Sequence, residues 1–139
     1  MEVSEVRKRL LQAIERSKRQ AADRRVRSDE ASRAFTAFLD TIAVPMFRQV
    51  ANILRVENYK FAVFTPSGSV RLMSDRSAED YIEISLDASG DIPRVMGHTR
   101  RRRGNRVIDS ERPMGDPATL AESDVLEFLL EELEGFVDR

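Results

Sequence analysis

The stretch YIEISLD, Tyr81–Asp87, decides the fold. Ile82, Ile84 and Leu86 fall on one side of an extended chain while Glu83, Ser85 and Asp87 fall on the other, the period of two expected of a strand buried on one face. Antiparallel sheets tolerate a wet face where parallel ones do not, so this heptapeptide predicts an antiparallel sheet with helices on its apolar side. Toward the N-terminus, Lys60–Thr65 and Val70–Ser74 flank Pro-Ser-Gly-Ser at 66–69, a loop suited to a hairpin. Toward the C-terminus, Ser-Gly-Asp at 89–91 turns the chain. Pro93–Arg103 and Arg106–Arg112 then predict a second hairpin across Gly104-Asn105, a dipeptide suited to a tight primed turn.

That second hairpin carries GHTRRRRGNRV, Gly97–Val107. A two-residue loop pairs Arg103 with Arg106, Arg102 with Val107, Arg101 with Ile108, Arg100 with Asp109 and His98 with Glu111. Opposite charges meet at Arg100/Asp109 and His98/Glu111. Arg101, Arg102, Arg103 and Arg106 have no carboxylate directly across and alternate between the two faces. A solvated tip whose charge discourages edge pairing is the plainest reading. A grip on a polyanion is the second, since arginine pairs well with phosphate, but no aromatic residue interleaves the run, which weakens base stacking. A protein partner, such as the acidic terminal helix of another subunit, is the third.

Upstream of the sheet the period is that of a helix. Val3, Val6, Leu10 and Ile14 recur at three- and four-residue steps, and neither Pro nor Gly occurs before Pro45. The stripe fades between Glu15 and Glu30, where Arg16, Lys18, Arg19, Arg24, Arg25 and Arg27 stand among few apolar residues and predict a solvated stretch. It returns at Ala31, Phe35, Phe38, Leu39 and Ile42 and continues through Met46, Phe47, Val50, Ile53 and Leu54, with Pro45 placed to open a second helix. At the other end, Val125, Phe128, Leu129, Leu133, Phe136 and Val137 predict an amphipathic helix, with Thr119 or Ser123 as its N-cap. The expected architecture is α+β: a long N-terminal helix or helix pair, a four- to five-stranded antiparallel meander, and a C-terminal amphipathic helix on one sheet face. Residues 1–34 read as an extended basic helix and oligomerisation arm, and residues 35–139 as one α+β domain.

Charge is unevenly spread. The 139 residues hold 23 basic and 24 acidic groups, so the whole chain has no net preference for nucleic acid or anionic membranes. Residues 1–34 nevertheless carry ten basic and six acidic groups, and residues 116–139 one basic and eight acidic. Cysteine is absent and His98 is the only histidine, which excludes disulfides, thiolate nucleophiles and the usual zinc sites within one chain. No apolar window approaches a membrane span and the charged start MEVSEVRKRL does not resemble a signal peptide, so the expected location is cytoplasmic, without membrane contact.

No motif carries a specific chemistry. His98 beside Glu111 resembles half of a general-base pair, but no hydroxyl can be set against it. Asp75, Glu79 and Asp80 cluster around Arg76 without the spacing of a calcium loop, and TPSGSV lacks the pattern of a phosphate loop. No metal or cofactor is expected. The reading is a non-enzymatic interaction module that self-associates, or meets a partner protein, through Val3, Val6, Leu10 and Ile14. That stripe has no core of its own if the helix runs straight, although a fold-back would cover it equally. Nucleic-acid binding through Arg101, Arg102, Arg103 and Arg106 together with Arg24, Arg25 and Arg27 is the alternative. A small-ligand pocket between helices and sheet is the third reading.

Overall fold

The alternating runs form a five-stranded antiparallel meander in a computed structural model that describes residues 1–137. Strands β1 (Phe61–Phe64), β2 (Ser69–Ser74), β3 (Tyr81–Asp87), β4 (Arg94–Arg103) and β5 (Arg106–Gly115) lie side by side in chain order. Gly68, at φ 75°, allows the tight turn in which the Ser69 amide donates to the Pro66 carbonyl at 3.0 Å. Gly104 takes φ 60° as the first central residue of the β4–β5 turn while Asn105 stays at negative φ, the II′ arrangement that suits the twist of two long strands.

β5 runs past Arg112, through Pro113 to Gly115, where the sequence predicts only turn formers. It is an edge strand, so the missing amide of Pro113 leaves no second neighbour unpaired. A register shift opposite Val95/Met96 takes up the extra residue.

The helical region is one continuous run: α1 (Val3–Phe38), a π-helical turn (Leu39–Ala43) and α2 (Val44–Val56). It crosses the expected boundary at residue 34 without a break. Pro45 sits in the first turn of α2, where its ring would crowd the carbonyl four residues back, and the wider π turn accommodates it. The last helix, α3 (Glu122–Val137), is capped by neither Thr119 nor Ser123. The Ala121 amide donates instead to Asp124 Oδ2 at 2.8 Å, and Thr119 turns its hydroxyl to the Asp116 carbonyl. The side chain three residues into the helix thus supplies the cap that the preceding residue lacks.

Helices cover one face of the sheet only. Val70, Leu72, Ile82, Ile84 and Val95 point into that layer and are fully buried, against Phe35, Phe38 and Phe47 of the N-terminal run and Phe128 and Leu129 of α3. Each such side chain contributes about 1.5–3 kcal/mol relative to exposure. Phe61 and Phe136 close one end edge-to-face, with ring centroids 6.0 Å apart. The approach of α3 to β4 is set by Gly97, where a β-carbon would stand 2.6 Å from Cζ of Phe128.

Candidate interaction surfaces

The β4–β5 register is the expected one throughout the tip: Arg103 faces Arg106, Arg102 faces Val107, Arg101 faces Ile108 and Arg100 faces Asp109. Alternation then divides the arginines. Arg101 points to the helix side, half-buried against Gly135 in the last turn of α3. α3 has no basic residue of its own in that turn, so β4 supplies the cation that complements its C-terminal dipole.

Arg102 takes the opposite face, where its Nη1 lies 3.3 Å from Glu79 Oε2 and its amide donates to Asp80 Oδ1 at 2.7 Å. Two carboxylates of the β2–β3 connection, Glu79 and Asp80, are therefore engaged by the arginine hairpin. Asp80 is only 2% exposed. The hairpin register of β4 and β5 alone does not show this meeting. The β3–β4 register, which sets Tyr81 opposite Arg100, brings Glu79 and Asp80 alongside the run.

On the open face of the sheet, His98 pairs diagonally. Its Nε2 lies 2.9 Å from Asp109 Oδ1, not on the Glu111 expected across the strand, although Glu111 is its backbone neighbour. Asp109 also lies 3.3 Å from Arg100 Nε. Tyr81 stacks edge-on to His98, with Arg71 4.0 Å above the tyrosine ring and held by Glu83 at 2.6 Å. This is a row of partly buried charges on the open face, in which Arg100 Nε meets Asp109 as an ion contact without a hydrogen bond.

The second basic group lies elsewhere. Arg24, Arg25 and Arg27 are exposed on α1 beside the β3–β4 loop, where Arg27 Nε donates to the Asp91 carbonyl at 3.3 Å. The arginine tip is at the far end of β4, whose ten residues span about 33 Å. The structure does not bring the two groups together on one surface.

The apolar stripe of α1 is uncovered. Val3, Val6, Leu10 and Ile14 are 84%, 48%, 59% and 40% exposed, and residues 1–20 are exposed throughout. The helix runs out from the body without folding back. At 3.6 residues per turn the four residues fall within about 60° of the direction of Phe35, so the stripe continues the face that α1 buries in the core. A second exposed apolar pair, Leu126 and Leu130, lies one turn apart on α3.

A cleft of about 250 Å³, lined by Lys60, Phe61, Asp75, Arg76, Asp80 and Phe136 among others, opens at the end of the sheet. It is smaller than the usual run of ligand pockets. Among the described residues, no three His, Cys, Asp or Glu side chains converge as a metal site, and no helix is long and apolar enough to cross a membrane. Compared with known proteins, the chain matches no family model, no curated sequence and no solved structure.

Proposed function

We propose that the protein is a self-associating interaction module rather than an enzyme, with the free length of α1 as its association arm. The observation that supports this reading is the exposed stripe Val3, Val6, Leu10 and Ile14 on the same helical face as buried Phe35. In proteins most helical stability comes from packing an apolar face, and this one packs against nothing within the chain. A second chain laid along the stripe would bury four large side chains, each worth about 1.5–3 kcal/mol before the cost of association.

Size-exclusion chromatography with light scattering on the full chain tests the reading. The expected result is a dimer or larger assembly that falls to monomer in Leu10→Glu/Ile14→Glu, with helix content of the body retained. A full-length chain that is monomeric, and unchanged in mass and melting on deletion of residues 1–14, would sink it.

A further inference from the structure

We infer that the α1 stripe of one copy docks on the outer face of α3 of a second copy. This rests on the reading of α1 as a self-association arm and names the surface it meets. Charge complementarity carries the inference. Along α1, Arg7 and Lys18 border the stripe on one side by helical geometry, while Arg9 and Arg16 lie about 100° or more from its centre and Arg9 is paired with Glu5. Residues 1–19 hold six basic groups and three acidic ones, so laying two α1 segments together would bring like charge against like. α3 is the opposite. From Glu122 to Val137 it carries six carboxylates and no basic residue.

The apolar pattern matches as well. Leu126 and Leu130 are 36% and 56% exposed, and helical spacing sets Glu127 and Glu134 beside them. Arg112 already engages Glu131, and its Nε lies 3.7 Å from Glu132, so those two are partly neutralised from within the chain. No such ion pair occupies Glu127 or Glu134 among the described contacts. The stripe extends about 17 Å along its helix and α3 about 24 Å, of which the exposed leucine pair spans about 6 Å. Apolar contact supplies affinity and the charged rims select the partner helix. The two surfaces differ, so a closed dimer requires reciprocal docking, each copy giving its α1 and receiving the other's.

The test is a charge exchange followed by sedimentation equilibrium of the full chain at low and physiological salt. Glu127→Arg/Glu134→Arg and Arg7→Glu/Lys18→Glu are each expected to weaken association by about tenfold or more, and the four changes combined to restore it. Leu130→Ser, at the more exposed of the two positions, is expected to dissociate the assembly with the helix content of the body retained. If α1 variants dissociate while α3 variants do not, or if the combined charge exchange fails to rescue, the α3 surface is overturned while self-association through α1 stands. A wild-type chain that is monomeric overturns both.

Discussion

The guanidinium of Arg101 occupies the place a Gly135 side chain would take, its Cζ 2.6 Å from the position of that β-carbon. The arginine is the flexible partner. Gly135→Ala is therefore expected to displace the guanidinium rather than the helix, with a stability change within about 1 kcal/mol, because alanine's better helix propensity offsets the lost contact. Urea unfolding checks this, and a loss well beyond that range would show that Arg101 is rigidly held.

Gly97 is the opposite case. A β-carbon there meets the ring of Phe128, which is 2% exposed and closed in by core neighbours. Gly97→Ala is expected to cost about 1–3 kcal/mol by overpacking. Adding Phe128→Leu should recover part of the loss if the clash is the cause, which thermal melts of the single and double variants will read.

Two buried polar groups on β4 and its neighbour predict contrasting effects. Asp80 satisfies the Arg102 amide, so Asp80→Ala is expected to destabilise by about 1–3 kcal/mol and to speed hydrogen exchange at Arg102. The Thr99 hydroxyl is buried with no hydrogen-bond partner among the described atoms. Thr99→Val is expected to be neutral or to stabilise by up to about 1 kcal/mol.

Fluorescence anisotropy with random duplex DNA, single-stranded DNA and RNA separates the interaction module from a nucleic-acid binder. Arg102 is paired with Glu79, Arg101 is turned toward α3, and the basic part of α1 lies at the far end of β4. Only weak binding is expected at low salt, vanishing near physiological salt. Tight binding lost in Arg101→Ala/Arg102→Ala/Arg103→Ala would assign the hairpin to phosphate instead.

Local periodicity made the secondary elements legible: the alternation of Tyr81–Asp87, the turn residues at 66–69 and 104–105, and the helical spacing before Val56 and after Ala121. A two-residue loop likewise determined the pairing of Arg100 with Asp109 and Arg102 with Val107, because hairpin register follows from loop length. What only tertiary structure decided were relations between elements that no loop length specifies. The β3–β4 register set Glu79 and Asp80 against the arginine run. The packing of α3 drew Arg101 to Gly135. His98 chose Asp109 over Glu111 by a diagonal contact that backbone pairing does not dictate. The straight course of α1 left its stripe in solvent where the sequence allowed a fold-back equally. Periodicity reports which face of an element is apolar; only the summed packing of all elements determines whether that face finds a neighbour within the chain.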